Sequence, residues 1–152
     1  MLKVGSKAPD FKLHTDSGEL VSLKDFRGRT VVLYFYPKDM TPGCTQESCD
    51  FRDLHKKFTK NRTVILGISK DSVESHVKFK SKYELPFALL ADETTKVCKA
   101  YGVWQEKSLY GRKFMGVVRT TFVIDGKGVI QKVYDKVKVT DHAATVLKEL
   151  KA

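Results

Sequence analysis

Strands and helices alternate along the chain in its pattern of hydrophobic and polar positions. Residues 31–36 (VVLYFY) and 63–69 (TVILGIS) are continuous apolar runs with many β-branched and aromatic side chains, which predicts two fully buried strands. Between them, from Pro42 to about Lys60, apolar residues recur at helical spacing and predict a helix. A helix, a short strand and a short helix are then predicted over residues 71–85, 87–91 and 94–101.

Antiparallel hairpins are predicted on both sides of this alternating region. Residues 120–124 and 129–134 have strand-like sequences, and the DGKG sequence at 125–128 that joins them is a strong hairpin signal. A smaller hairpin is predicted near the N-terminus, where residues 11–13 and 20–23 flank a turn sequence that contains Asp, Ser and Gly.

The order of these elements indicates the fold class. A final helix is predicted from about residue 140 to residue 150, after a hairpin, a series of βαβ units and a second hairpin. This order predicts an α/β thioredoxin-like fold, in which a mixed central sheet is flanked by helices and carries an N-terminal β-hairpin extension. With 41% hydrophobic and 30% charged residues, the chain is expected to form a single domain over residues 1–152.

Charge and hydropathy limit the partners to be expected. The net charge is +10, but the 28 lysines and arginines are spread along the chain, so we expect a solvated basic surface and no nucleic-acid partner. No apolar run approaches the roughly 20 residues that span a membrane, so no membrane partner is expected. The N-terminal sequence MLKVG lacks the apolar stretch of a secretory signal, and a cytoplasmic location is expected.

Candidate chemistry lies where the predicted strand at 31–36 ends. In open α/β sheets, ligands bind beyond the carboxyl ends of the strands. Thr41 followed by Pro42 is typical of a helix start, with threonine as N-cap and proline at the first helical position. Cys44 then falls in the first turn, where unpaired backbone N–H groups and the positive end of the helix dipole favour a reactive thiolate.

The spacing of Cys44 and Cys49 suggests a redox pair. Five residues along an ideal helix give a rise of about 7.5 Å and a rotation of about 140°, which separates the two Cα atoms by roughly 8–9 Å. A disulfide requires a Cα separation of about 7 Å or less. If the helix begins at Thr41, the two cysteines can bridge only when its first turns unwind. That requirement suits a redox switch better than a structural bond.

Other interpretations of the cysteines stay open at this point. Three cysteines fit a structural disulfide framework poorly, and a reducing cytosol favours catalytic, redox or metal-binding roles for a close pair. Cys44 or Cys49 could also be a small buried core residue, whereas a metal site would need further ligands nearby. Cys98 is expected to be a partly buried structural thiol, with a secondary redox role as the alternative. A general thiol–disulfide oxidoreductase is the alternative function, although such an enzyme would carry Cys-x-x-Cys at the helix start.

Two further groups of residues receive structural interpretations. The four histidines show no metal-ligand spacing, and each is expected on the surface or on a helix face without a catalytic role: His14, His55, His76 and His142. Three aromatic residues in the last third of the chain are expected to pack in a loop, with the wall of a pocket as the alternative: Trp104, Tyr110 and Phe114.

The sequence Pro37-x-x-x-Thr41-x-x-Cys44 resembles the active-site motif of the peroxiredoxins. The fuller run YFYPKDMTPGCTQESC at residues 34–49 is similar to the subgroup called bacterioferritin comigratory protein or PrxQ, and the similarity extends over nearly the whole chain. The resemblance implies a thioredoxin-dependent thiol peroxidase that reduces hydrogen peroxide and organic hydroperoxides, as a monomer or a weak homodimer. A thiolate at a helix N-terminus needs no metal or organic cofactor for this chemistry.

The resemblance also implies roles for the residues around Cys44. The Cys44 thiolate attacks the O–O bond of the peroxide and becomes a sulfenic acid. The Thr41 hydroxyl forms hydrogen bonds with the thiolate and the peroxide, and Pro37 packs over the pocket and limits the access of solvent. Arg119 helps to stabilise the thiolate and the transition state, and Glu47 orients that arginine.

Regeneration of the enzyme is assigned by the same resemblance to Cys49. This cysteine is implied to resolve the sulfenic acid by forming an intramolecular Cys44–Cys49 disulfide, and thioredoxin or a similar dithiol reductant then restores both thiols. Such a step agrees with general thiol chemistry, because a sulfenic acid condenses with a nearby thiol and is oxidised irreversibly if none arrives.

Overall fold

The computed structural model of the chain describes residues 2–150, in which seven strands form one mixed central sheet and two more form a separate hairpin. The strands are β1 (Lys12–Thr15), β2 (Leu20–Ser22), β3 (Thr30–Phe35), β4 (Thr63–Ser69), β5 (Ala88–Ala91), β6 (Trp104–Leu109), β7 (Arg112–Val117), β8 (Thr120–Ile124) and β9 (Ile130–Tyr134). The helices are α1 (Pro42–Asp53), α2 (His55–Lys60), α3 (Val73–Tyr83), α4 (Lys96–Ala100) and α5 (His142–Glu149), with a single 3₁₀ turn at Leu23–Phe26. No helix among these is long and apolar enough to cross a membrane.

The central sheet has the order β2-β1-β5-β4-β3-β8-β9. The three inner strands β3, β4 and β5 run parallel, whereas β8 pairs with β3, and β1 with β5, in the antiparallel sense. The pairing of Phe35 with Thr120 places the start of β8 beside the end of β3. The N-terminal hairpin predicted from the sequence is present, and β1 joins the same sheet by pairing with β5. The predicted thioredoxin-like fold with a mixed sheet is confirmed.

Side chains on the two faces of the sheet form two separate cores. Leu33 and Phe35 of β3 belong to one apolar cluster, together with Cys98 of α4. Tyr34, between them, points to the opposite face because successive side chains of a strand alternate. It belongs to a second cluster that contains Cys44 of α1 and residues of α2, α3 and α5. The central sheet therefore lies between Cys98 and Cys44.

Two parts of the chain differ from the sequence-based predictions. The single helix predicted over residues 42–60 is divided at Leu54, whose φ of −101° and ψ of 2° leave the helical range, so α1 and α2 are distinct helices. Residues 104–117 form the hairpin of β6 and β7, where a loop was expected, and Trp104 and Phe114 lie in strands. Strands β6 and β7 pair with each other and are largely exposed. Their sequences therefore lack the alternation of apolar and polar residues that predicts a strand.

Candidate active site

Helix α1 begins directly after the loop that follows β3, as predicted. Thr41 is the N-cap, with extended backbone angles, and Pro42 occupies the first helical position. The Thr45 N–H donates to the Thr41 carbonyl oxygen over 2.9 Å and closes the first helical turn. The backbone N–H groups of Gly43 and Cys44 precede that bond and lie at the positive end of the helix. Cys44 itself is 1% exposed.

A guanidinium group joins Cys44 to a buried carboxyl group. Arg119, the residue before β8, donates through Nη2 to Cys44 Sγ over 3.4 Å and through Nη1 to Glu47 Oε1 over 2.6 Å. Glu47 lies one turn after Cys44 on the inner face of α1 and is 1% exposed. The structure thus brings together three of the residues that the sequence singled out, although Arg119 is 75 positions away from Cys44 along the chain.

Burial and the charge of Arg119 act in opposite directions on Glu47. Burial raises the pKa of Glu47 to about 7, even though the charge and the hydrogen bond of Arg119 lower it. Burial lowers the pKa of Arg119, but Glu47 and Cys44 raise it more, so the guanidinium is held in its charged form. Glu47 Oε2 has no hydrogen-bond partner among residues 2–150, and His142 Nε2 lies 3.9 Å from it. Burial and the nearby Arg119 lower the pKa of His142 to about 4, so this imidazole is neutral near pH 7.

Two further residues shape the surroundings of the guanidinium. A Cβ atom added at Gly43 would lie 3.1 Å from Arg119 Nη2, so the absence of a side chain there lets Arg119 approach α1. Lys107 of β6 donates to the Val117 carbonyl oxygen over 3.0 Å. Burial lowers the pKa of Lys107, Arg119 lowers it further, and Cys44 raises it, so the ammonium group lies within electrostatic range of both site residues.

Thr41 and Pro37 lie in the loop that precedes Cys44. The Thr41 hydroxyl donates to the Lys38 carbonyl oxygen over 2.7 Å, and it makes no hydrogen bond with Cys44 Sγ in this structure. Because the single hydroxyl proton is used in that bond, Thr41 Oγ1 is available to accept from a ligand. Pro37 is half-buried.

The other two cysteines have different environments. Cys49 is a half-buried thiol on α1, and burial raises its pKa. Cys98 is fully buried on α4, where burial and the neighbouring carboxylate of Asp92 hold its pKa well above the ordinary value for a thiol. The expectation of partial burial for Cys98 is therefore corrected to complete burial.

Comparison with known proteins identifies the family. The model of the AhpC/TSA family matches residues 4–133 of the chain. The chain belongs to the AhpC/TSA family. A putative peroxiredoxin bcp of Coxiella burnetii is 54% identical over 149 residues, which cover 98% of this chain and 99% of the relative. Peroxiredoxin Bcp of Bacillus subtilis is 52% identical over 150 residues, which cover 99% of this chain and 96% of the relative.

Solved structures of PrxQ peroxiredoxins have the same fold. A cysteine-to-serine variant of Xylella fastidiosa PrxQ is 34% identical, with a TM-score of 0.93, and the match covers 98% of this chain and 95% of that protein. A bacterioferritin comigratory protein of Xanthomonas campestris, studied for alkyl peroxide reduction, is 40% identical with a TM-score of 0.87 and covers 91% and 88% of the two chains. The predicted peroxiredoxin of the Bcp/PrxQ subgroup, a thiol peroxidase that uses a peroxide and a thiol reductant, is confirmed.

Several side chains near the site of this peroxiredoxin were not singled out from the sequence. His76 and His142 lie on helices α3 and α5, in agreement with the helix-face alternative, but both side chains face the core and are buried. Asp39, in the loop before Thr41, is also buried and contacts His76. The spacing of His76 and Phe79, three residues apart on α3, was a signal for the buried face of that helix. Nothing in the local sequence connected either histidine to the Cys44 region.

Proposed function

We propose that this peroxiredoxin reduces hydrogen peroxide and organic hydroperoxides with Cys44 as its peroxidatic cysteine. The observation that carries this assignment is the 3.4 Å hydrogen bond from Arg119 Nη2 to Cys44 Sγ at the first turn of α1. A charged donor and a helix N-terminus converge there on one thiol, which is the setting typical of a nucleophilic cysteine. Neither Cys49 nor Cys98 has a comparable pair of neighbours among the described residues.

In the first step, the Cys44 thiolate attacks the terminal oxygen of the hydroperoxide. The S–O bond forms while the O–O bond breaks, so the sulfur is oxidised to a sulfenic acid and the peroxide is reduced. The leaving oxygen takes up a proton and departs as water or an alcohol. Negative charge moves from sulfur towards the leaving oxygen, where the guanidinium of Arg119 and the free N–H groups of the first turn can stabilise it. Thr41 Oγ1 can accept a hydrogen bond from the peroxide.

In the second step, the Cys49 thiol attacks the sulfur of the Cys44 sulfenic acid. A disulfide forms, and the hydroxyl of the sulfenic acid leaves as water with the thiol proton. Both cysteines lie within α1, where five residues give a rise of about 7.5 Å along an intact helix. The first turns of α1 must therefore unwind before the sulfurs can meet.

The access to Cys44 supports a substrate with a small reacting end. Cys44 is 1% exposed, so a bulky disulfide of another protein cannot reach its thiol while α1 is intact. This burial disfavours a general thiol–disulfide oxidoreductase. Organic hydroperoxides are included because the similar Xanthomonas campestris protein was studied for alkyl peroxide reduction.

We further propose that thioredoxin or a similar dithiol reduces the disulfide, and that the enzyme is a single-domain cytoplasmic protein, either monomeric or weakly dimeric. A coupled assay with thioredoxin, its reductase and NADPH tests the reductant. NADPH consumption that depends on peroxide, and that is lost in a Cys49→Ser variant, is the expected result. Undiminished turnover of that variant would show that another thiol resolves Cys44.

Mass spectrometry tests the two cysteine roles directly. Fully reduced protein is treated for seconds with an equimolar amount of hydrogen peroxide and then digested. Loss of both thiol hydrogens in a Cys44–Cys49 crosslinked peptide is expected, and a Cys98→Ser variant, as a matched control, should behave in the same way. A stable sulfenic acid on Cys44, or a bridge to Cys98, would contradict the role of Cys49. Absence of rapid oxidation would contradict the role of Cys44.

A further inference from the structure

A cluster of buried polar side chains lies behind the loop that carries Thr41. Asp39 belongs to that loop, and its side chain is 2% exposed. Its carboxyl group faces three donors: the Tyr36 hydroxyl at 2.6 Å from Oδ1, and Ser75 Oγ and His76 Nδ1, each at 2.7 Å from Oδ2. Three hydrogen-bond partners therefore converge on one buried carboxyl group.

Both ring nitrogens of His76 face acceptors. Nδ1 lies 2.7 Å from Asp39 Oδ2, and Nε2 lies 2.9 Å from the carbonyl oxygen of Leu90 in β5. A neutral imidazole has a single N–H group and can donate to one of these oxygens, whereas an imidazolium ion can donate to both. His76 is fully buried, so water cannot supply the missing donor. With an ionised Asp39, both short contacts are hydrogen bonds only if His76 carries both protons.

The backbone of the same loop is held by a second carboxylate. The Asp39 N–H donates to Asp71 Oδ2 over 2.9 Å, and the Ser69 hydroxyl donates to the same oxygen over 2.6 Å. The ligand atoms of the two carboxylates and His76 lie within 4.8 Å of one another, and these hydrogen bonds account for their proximity. Asp39 is thereby tied to the ends of β4 and β5 and to α3, none of which contains a redox cysteine.

The residue after Asp39 has a strained backbone. Met40 has a φ of 67° in the left-handed region, which is unfavourable for a residue with a side chain. Such a conformation persists only where the surrounding structure holds it. Met40 is 41% exposed, so its own side chain does not fix the loop, and the contacts of Asp39 are the adjacent restraint.

From these contacts we propose that His76 is a positioning residue of the peroxidase site: as an imidazolium ion it holds Asp39, and through Asp39 the loop that carries Pro37 and Thr41. The inference rests on the proposed role of Cys44, which follows this loop in the first turn of α1. It also implies that one part of the site does not move during the catalytic cycle. When α1 unwinds for disulfide formation, the movement begins after Asp39, and the part of the loop up to Asp39 stays in place.

Two isosteric substitutions separate the two hydrogen bonds of His76. In His76→Asn the amide nitrogen can replace Nδ1 and keep the bond to Asp39, whereas in His76→Gln it replaces Nε2 and keeps the bond to Leu90. Stopped-flow measurement of Cys44 oxidation by hydrogen peroxide should show that the asparagine variant retains most of the wild-type rate constant. The glutamine variant should lose about 10- to 100-fold, because a small displacement of positioning groups has an effect of this size.

Thermal unfolding and a second rate constant separate positioning from simple stability. A merely structural role predicts equal losses in the two variants, and equal rate constants in two folded variants would overturn the proposal. Disulfide formation from the Cys44 sulfenic acid should proceed at the wild-type rate in both, since Cys49 lies within α1 and outside this loop. A slowed disulfide step in the glutamine variant would contradict the prediction that the loop up to Asp39 stays in place while α1 unwinds.

The charge of His76 can be measured without catalysis. Nitrogen-15 NMR of the reduced wild-type protein at neutral pH should show both ring nitrogens of His76 in the protonated state. The Asp39→Asn variant should show one protonated and one unprotonated nitrogen, because the buried charge then has no counter-ion. A neutral His76 in the wild-type protein would overturn the inference. Failure of the wild-type protein to reduce peroxide would instead refute the proposed function and leave this result unchanged.

Discussion

At the scale of single residues, the site depends on one guanidinium group that serves two partners. Nη1 and Nη2 of Arg119 point to Glu47 and to Cys44, and the planar group fixes the angle between the two hydrogen bonds. In the proposed mechanism, Glu47 acts on Cys44 through the orientation of Arg119. Gly43 contributes by leaving the space into which Nη2 extends.

Replacement of Arg119 by lysine should lower the rate constant for peroxide reduction by about 100-fold. An ammonium group keeps the positive charge but cannot donate to both Glu47 and Cys44 in the fork geometry, and loss of one donor to a developing charge has an effect of this order. Stopped-flow oxidation of reduced protein measures the change. Arg112→Lys on the exposed part of β7 is the matched control and should behave like the wild type. A fully active Arg119→Lys variant would show that charge alone is sufficient.

Glu47 should make the protein less stable as the pH rises towards neutrality. Its pKa is about 7 in the folded protein and near 4.5 when exposed, so between these values the folded state binds the extra proton. The free energy of unfolding that this group contributes is present below about pH 4.5 and is lost as the pH rises through about 7. Glu47→Gln cannot ionise and should show a smaller loss over this range.

Urea unfolding of the reduced proteins at several pH values measures that difference. His142 acts in the opposite direction, because its lowered pKa makes stability rise with pH between about 4 and 6.5. Both proteins retain His142, so the difference between their curves reports on Glu47. Parallel curves for the two proteins would mean that Glu47 ionises in the folded state as readily as in water.

At the scale of secondary-structure elements, the proposed mechanism gives α1 two functions that cannot occur in the same conformation. An intact α1 carries Cys44 in its first turn, where Arg119 Nη2 donates to the thiol over 3.4 Å. Disulfide formation requires the same turn to unwind. The interruption at Leu54 separates α1 from α2, and α2 is anchored in the core by Phe58, which is 0% exposed. Unwinding can therefore stop at the end of α1.

Hydrogen exchange should detect this local unwinding. After treatment with peroxide, the backbone amides of residues 42–49 should exchange faster than in the reduced protein, while those of α2 and α3 keep their protection. The Cys49→Ser variant should show no such increase, because no disulfide pulls on its helix. Equal exchange of α1 in the reduced and oxidised wild-type proteins would argue against a bond between Cys44 and Cys49.

At the scale of the whole molecule, the central sheet divides the thiols into two compartments. Cys44 lies in the cluster on one face with Tyr34 and Phe51, and Cys98 lies in the cluster on the other face with Phe35 and Tyr101. A Cys98 thiol in that position can contact Cys44 only if the core opens. Cys98 therefore serves as a reporter of global unfolding.

Labelling with a thiol reagent in the reduced state should distinguish the cysteines. The half-buried Cys49 is expected to react first, whereas Cys98 reacts only in molecules that unfold globally. The free energy of opening derived from the labelling rate of Cys98 should equal the free energy of unfolding obtained with urea. Labelling of Cys98 as fast as Cys49 would show that α4 opens locally and would revive a redox role for Cys98.

Much of the fold could be predicted from the sequence because its signals are local. Buried strands such as β3 and β4 carry continuous apolar runs, and the start of α1 is marked by Thr41 and Pro42. The hairpin of β6 and β7 could not be predicted, because neither strand packs a whole face against the core and no apolar alternation results. The division at Leu54 also lacks a local signal, since neither glycine nor proline is present there.

By itself the sequence determined the order of strands and helices, the place of Cys44 in the first turn of a helix and its spacing from Cys49. These features depend on residues that are close along the chain. Only the tertiary structure decided that Arg119 reaches Cys44, that Glu47 is buried behind it and that His76 contacts Asp39. Each of these contacts depends on how distant elements pair and pack: the antiparallel register of Phe35 with Thr120 brings Arg119 to the end of β3, and the packing of α3 brings His76 to Asp39.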